Sequence, residues 1–261
     1  MHQRPKTVII VPKLNKEYKL KEYDVKSIKS LLILIIGIVF MLDAFLLPFQ
    51  WLAFNADYYI DGFVGLNVHE DIGISVDDLD RVTRALVTYI DDGSGDLSLM
   101  ADVNGNAVQF YNEKEQHHLN DILLLVEKAR LFLLISNIVM LSALIVLYLV
   151  HQKKAKLVLH DLMHAMRVAT FASLACLSAL VILYFTDFNW AFTKFHEIFF
   201  NNDLWLLDPR TDRLILLMPL EFFIGFVSDW LMRVAVIFFV FILAGFILPL
   251  HHTKRVLKRS I

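Results

Sequence analysis

Four stretches of this chain are each long and apolar enough to cross a bilayer, and nothing else in the sequence limits the fold as strongly. A hydrocarbon core of about 30 Å takes about 20 helical residues to span. The blocks cover residues 30–54, 129–150, 168–188 and 230–250. A backbone in lipid must satisfy its own hydrogen bonds, so each block is expected as a helix. The first block has a basic flank but is long, and no small-residue cleavage site follows it. The chain continues through Leu47, Pro48, Phe49, Gln50 and Trp51, so this helix is expected to be retained rather than cleaved as a signal peptide. The expected fold class is an all-α integral membrane protein. It has four transmembrane helices, a small α+β extracytoplasmic portion between helices 1 and 2, and interfacial helices between helices 3 and 4.

Charge orients the spans. Lys and Arg near the membrane concentrate on the cytoplasmic side. Residues 1–29 carry Arg4, Lys6, Lys13, Lys16, Lys19, Lys21, Lys26 and Lys29. The link 151–167 carries Lys153, Lys154, Lys156 and Arg167, and the tail 251–261 carries Lys254, Arg255, Lys258 and Arg259. Four helices with an inside N-terminus put all three segments on one side, with both termini cytoplasmic. Segments 55–128 and 189–229 then lie outside. The first holds fifteen Asp and Glu against Arg81, Arg84, Lys114 and Lys128. Trp51, Trp190 and Trp230 mark the outer helix ends, at the headgroup layer that tryptophan favours.

Segment 55–128 is too long for a plain loop and is expected to fold. Ser75, Val76, Asp77 and Asp78 have a capping pattern, and Leu79, Val82, Leu86 and Tyr89 recur at helical spacing, which predicts a helix over 76–90. Leu97, Leu99, Ala101 and Val103 then alternate, and Asn104-Gly105 is a hairpin signal with Val108 and Phe110 on the return strand. Asn112 is placed to cap a helix from Glu113 that runs on into the second span. In segment 189–229, Phe192, Phe195, Phe199 and Phe200 line one face of a short interfacial helix. Residues 214–226, interrupted by Pro219 and Glu221, are expected as a second element in the headgroup layer.

No Gly-x-Ser-x-Gly elbow, P-loop or dinucleotide fingerprint is present, so a covalent serine or cysteine mechanism has no obvious nucleophile. The single cysteine, Cys176, falls in the third block, where a thiol is expected to be inert packing. His196-Glu197 begins like a zincin helix, but the second ligand position is Phe200. His160 and His164 are only two candidate ligands, and His251-His252 complements a helix C-terminus. No metal or cofactor is expected. Two outer polar clusters remain. One holds Glu115, His117, His118 and Asp121. On a helix, Lys114, His118 and Asp121 share one side, as do Glu115 and His118, so a carboxylate can orient His118 as a general base requires. The other holds His196, Asn201, Asn202, Asp203 and Trp205: a titratable group, amides and an indole donor at headgroup depth. Each cluster reads either as catalytic or as a solvated juxtamembrane face. Asp43, alone in the first span, is costly there, with Arg130 as its expected partner.

Both clusters resemble the signature of the bacterial lipoprotein intramolecular transacylase family (Lit), small four-helix membrane proteins of Gram-positive bacteria. The first matching stretch is 110–122, with Glu115, His118 and Asp121. Lys114 stands where the family is expected to carry Arg, and Leu119 where it carries Met. The second runs from Phe195 through His196, Phe199, Phe200, Asn202, Asp203 and Trp205, then Asp208-Pro209, residues 212–215 and 219–223.

The resemblance implies a substrate: a lipoprotein in the outer leaflet whose N-terminal cysteine carries a thioether-linked diacylglycerol. It implies transfer of the sn-2 acyl chain to the cysteine α-amine, giving the lyso-form lipoprotein. Donor and acceptor share one molecule, so proximity supplies much of the rate. His118 and His196 are the expected acid–base pair, in an order the sequence leaves open. Asn202, Trp205 or backbone amides are candidates to stabilise the oxyanion, with Glu115 or Asp121 setting a histidine tautomer; Asp203 is grouped with these supporting residues. Membrane lipid is the other expected partner, nucleic acid is not, and the chain is expected to be a monomer. The alternatives are a non-enzymatic membrane subunit whose outer segment binds a protein, and a metal-dependent hydrolase.

Overall fold

The computed structural model describes residues 14–247, and in it four helices are long and apolar enough to cross a membrane. The basic residues of 1–13 and the tail 251–261, with His251 and His252, lie outside the described residues. The first spanning helix, α1, covers Leu14–Ala53, and α2 (Ala56–Gly65), α3 (Val68–Ile72) and α4 (Val76–Asp92) follow it. A hairpin of β1 (Met100–Val103) and β2 (Asn106–Gln109) leads into α5 (Glu113–Val150). Then come α6 (Ala155–Thr186), α7 (Phe188–Phe199), the single turn α8 (Leu214–Leu217) and α9 (Leu220–Ile242), which ends in a π-helical turn, Leu243–Ile247.

Local chemistry explains these elements. Ser75 caps α4 by accepting from the Asp78 amide at 3.0 Å, and Leu79, Val82 and Leu86 are buried on one face. In the hairpin Asn104 and Gly105 both take positive φ, 53° and 83°. That is the backbone a two-residue turn of this hand requires, and it pairs Val103 with Asn106. Asp78 ties the hairpin to α4: it pairs with Arg81 and accepts from the Asp102 amide at 3.1 Å. Asn112 and Glu115 form a complete capping box at the start of α5.

From there α5 continues unbroken for 38 residues, a rod of about 57 Å at 1.5 Å per residue. That is far more than a bilayer core needs. The apolar stretch 129–150 is by itself long enough for the crossing, while Leu119 and Ile122, nearer the start of the rod, pack into the core of the head elements. There α2, α4, the hairpin, α8 and the start of α9 share one core, including Phe63, Phe110, Tyr111, Leu217 and Phe222.

The membrane bundle is thinner. Ile36, Ala143, Leu147 and Ala165 form a small core, while Leu131, Phe132, Leu134 and Ile135 of α5 are exposed, as expected of a surface solvated by lipid tails. Helices α1 and α6 approach closely at Gly37, where an added Cβ would lie 2.7 Å from Val168. Small residues at such crossings let helix backbones pack.

Three expectations need correction. Pro219 does not interrupt an interfacial element; it is the N-cap of α9, which runs on through Glu221 and Phe226 into the fourth span. Proline lacks an N–H, and the first turn of a helix has no use for one. Residues 155–167, read as a link, are already helical, leaving only His151–Lys154 between α5 and α6. Arg130 does not reach Asp43; it pairs with Asp91 and lies over the Phe54 ring at 4.3 Å. Asp43 instead accepts from Asn137 Nδ2 at 3.0 Å, an amide from the facing helix in place of a cation.

Candidate active site

Two histidines from distant parts of the chain meet in the head. The capping box fixes the start of α5, and His118 follows on the second turn, 5% exposed. Helix α7 is capped by Asp187, which accepts from the Trp190 amide at 2.9 Å, and it presents His196 near its end, 7% exposed. The two ring centroids are 6.0 Å apart with the planes inclined by 36°. Aromatic groups enclose them: Trp205 stacks on His196 at 4.9 Å, Phe192 lies 4.2 Å from it, and Phe200 meets His118 edge-on at 5.3 Å.

This enclosure sets the protonation states. Burial pushes His118 down to about 4, and the neighbouring His196 adds to the shift; Asp121 opposes it. Burial also lowers His196, against the effect of its bond to the Phe192 carbonyl. Both rings are therefore neutral at pH 7, because a hydrophobic enclosure disfavours the imidazolium. His196 Nδ1 lies 2.7 Å from the Phe192 carbonyl oxygen. A carbonyl can only accept, so Nδ1 holds the proton and Nε2 offers a lone pair. His118 Nδ1 is buried without a hydrogen-bond partner among the described residues.

The other expected site residues divide. Asp121 and Asn202 join the two clusters directly, Asn202 Nδ2 donating to Asp121 at 2.9 Å. Asn202 Oδ1 is occupied by the Leu204 amide at 3.1 Å. Trp205 forms part of the wall. Asp203 is exposed, and its backbone carbonyl accepts from Leu206. Glu115 makes no hydrogen bond to His118. It is fully buried and accepts from the amides of Asn112 and Leu214, at 2.7 and 2.5 Å. Burial raises its carboxyl, those amides opposing and Asp212 reinforcing the shift.

Asp212, which falls in the second family-like stretch but to which the sequence assigned no role, completes the clamp between segment 206–214 and the start of α5. It accepts from Lys114 Nζ at 3.0 Å, Asn112 Nδ2 at 2.9 Å and the Asp208 amide at 2.8 Å. Burial works to raise its pKa, but these donors together overcome burial and hold it at about 2.

Beside His118 lies a cavity of about 110 Å³, which His196 adjoins through its stacking on the lining residue Trp205. Its lining includes His118, Trp205, Tyr59, Leu86, Phe192 and Phe223. The lining is largely hydrocarbon, suited to an acyl chain, with imidazole at one side. Cys176 is on α6 in the membrane bundle, 3.9 Å from Met41 sulfur. Among the described residues no three His, Cys, Asp or Glu side chains gather as a metal site. His160 packs on His164 at 4.7 Å, and His151 bonds Asp161 at 2.6 Å, both at the opposite end of the bundle.

Four helices able to span a membrane and a head that encloses an apolar, imidazole-bearing cavity define a multi-pass integral membrane protein. The comparisons with known proteins sharpen that class. The family model of the lipoprotein intramolecular transacylase Lit matches residues 13–223, and the chain belongs to that family, whose members are acyltransferases. Its fold is similar to solved structures of the membrane integral lipoprotein intramolecular transacylase Lit from Bacillus cereus. One has TM-score 0.69 and 19% identity, covering 90% of this chain and 100% of that one. Two more carry single histidine substitutions. The histidine-to-arginine form has TM-score 0.68 and 19% identity over 90% and 99% of the two chains. The histidine-to-alanine form has 0.65 and 21% over 92% and 100%. No curated protein matches the chain. Family membership sets aside the non-enzymatic subunit.

Proposed function

We propose that this acyltransferase moves the sn-2 acyl chain of a diacylglyceryl-cysteine lipoprotein to that lipoprotein's own α-amine, with His196 and His118 carrying the proton. The observation that carries the reading is the approach of two neutral imidazoles to 6.0 Å beside an apolar cavity.

The chemistry needs one proton moved and no covalent enzyme intermediate. The free α-amine adds to the ester carbonyl carbon; a C–N bond forms and the carbonyl electron pair moves to oxygen. His196 Nε2, unprotonated because Nδ1 is bonded to Phe192, takes the amine proton. The tetrahedral adduct collapses, the C–O bond to glycerol breaks, and the glycerol oxygen receives that proton through the imidazole pair. His118, neutral at rest, relays the proton taken up by His196 and hands it on to the glycerol oxygen. The products are an amide and a free glycerol hydroxyl. The Trp205 indole N–H is a donor for the developing oxyanion. Asp121 and Asn202 keep α5 and the segment after α7 in register.

The positive-inside pattern supports a head at the outer leaflet, where such a lipoprotein is displayed. The exposed Phe195, Ile198 and Phe199 of α7 fit a helix lying on lipid. The test is lyso-lipoprotein formation by mass spectrometry in His118→Ala and His196→Ala. Both are expected to lose turnover by at least about 100-fold; near-normal product from both removes the acid–base pair.

A further inference from the structure

We infer that Tyr59, through its phenol hydroxyl, is a catalytic residue that donates to the oxyanion of the tetrahedral adduct; this rests on the acyl-transfer reading above.

Buried tyrosine hydroxyls generally find a partner, and two others in the head do. Tyr58 donates to Asp229 at 2.8 Å and Tyr111 to the Val82 carbonyl at 2.9 Å. Tyr59 is more enclosed than the half-buried Tyr58, 5% exposed, yet its hydroxyl has no hydrogen-bond partner among the described residues. Nor is it sealed in packing, as the orphaned hydroxyls of Thr83 and Ser173 are. What remains open to Tyr59 is the cavity it lines together with His118 and Trp205. The ring is gripped by Phe222 at 5.0 Å and Phe63 at 5.9 Å, so the hydroxyl is held in place before any substrate arrives.

A fixed donor on a dry wall suits an oxyanion hole: it needs no reorganisation and acts in a medium that screens little. The donor must also stay protonated. Burial raises the Tyr59 pKa above that of an ordinary phenol, so it remains a donor across the working pH range. The acceptor would be the former ester carbonyl oxygen, which turns from neutral to anionic as the amine adds. A hydrogen bond there strengthens as charge develops and therefore speeds the step rather than merely holding the ester.

Tyr59→Phe removes one oxygen atom and keeps the ring. Assayed on a diacylglyceryl-cysteine lipopeptide in mixed micelles, it is expected to lower kcat by about 100-fold with KM nearly unchanged. Its thermal unfolding and the shape of its pH–rate curve should match those of the unaltered protein. Tyr58→Phe, which breaks a hydrogen bond outside the cavity, should keep near-normal turnover. Full kcat in Tyr59→Phe while His118→Ala and His196→Ala are inactive would overturn the assignment and leave the acid–base reading standing. Equal losses in Tyr58→Phe and Tyr59→Phe would also overturn it, because a hydroxyl outside the cavity would then matter as much as the one facing it. Normal turnover in both histidine variants would remove the acyl-transfer reading and Tyr59's role with it.

Discussion

Asp212→Asn isolates the clamp that seats segment 206–214 on the start of α5. The native carboxylate gathers Lys114, Asn112, Thr211 and the Asp208 amide, and its side chain is 4% exposed. It is held at about 2 where an ordinary aspartate has 3.8. At 1.36 kcal/mol per tenfold change, that difference of about 1.8 corresponds to about 2 kcal/mol of stability.

The sign follows from linkage. A depressed carboxyl binds fewer protons folded than unfolded, so its contribution is complete above pH 3.8 and fades as pH falls toward 2. Equilibrium unfolding in mixed micelles should place Asp212→Asn about 2 kcal/mol below the unaltered protein at pH 7, with the gap closing between about pH 4 and 2. The same substitution should slow turnover, because the clamped segment lies between Trp205, stacked on His196, and Leu214, bonded to Glu115. Equal stability at pH 7, or a gap that persists at pH 2, would refute the reasoning.

The pH dependence of turnover offers another check. Both histidines are held below their ordinary value, so kcat/KM should rise with pH until the substrate amine loses its proton near about 7.7–8.0. A fall between pH 7 and 8 would mean that an imidazolium, not an imidazole, is needed in the free enzyme. On α7, Ile198 is 74% exposed. Ile198→Asp should raise KM for lipoprotein in vesicles by about tenfold with kcat retained, measured by product formation in proteoliposomes; an unchanged KM would mean that this face does not lie on lipid.

Much of the scaffold was readable because its signals are local. Ser75, Asn112 and Asn104-Gly105 each act on backbone within three residues, and the apolar blocks need only length and composition. The meeting of His118 and His196 was suggested by two motifs rather than by spacing, since 78 positions separate them. Glu115 faces the cap rather than His118 for a local physical reason. Helical spacing puts it on the side of His118, but at the third position of a helix capped by Asn112 the carboxylate turns back toward the cap. That pattern was visible in the sequence. Asp212 and Lys114 were not readable as a pair, because a contact across 98 positions leaves no local trace. Tyr59 was equally silent: among several aromatic residues in α2, only packing decides which hydroxyl opens on a cavity. Pro219 misled because a helix start and a helix break carry the same residue.

The turn between α5 and α6 has a mechanical corollary. Only His151–Lys154 join these antiparallel rods, with Gln152 and Lys153 both in the left-handed region at φ 52° and 64°, which leaves no slack. A bilayer that thickens or thins and slides α5 along the membrane normal must drag α6 by the same amount. Since only the extended residue Asp187 separates α6 from α7, the helices that carry the two imidazoles shift together, and their separation is insulated from the depth at which the protein floats.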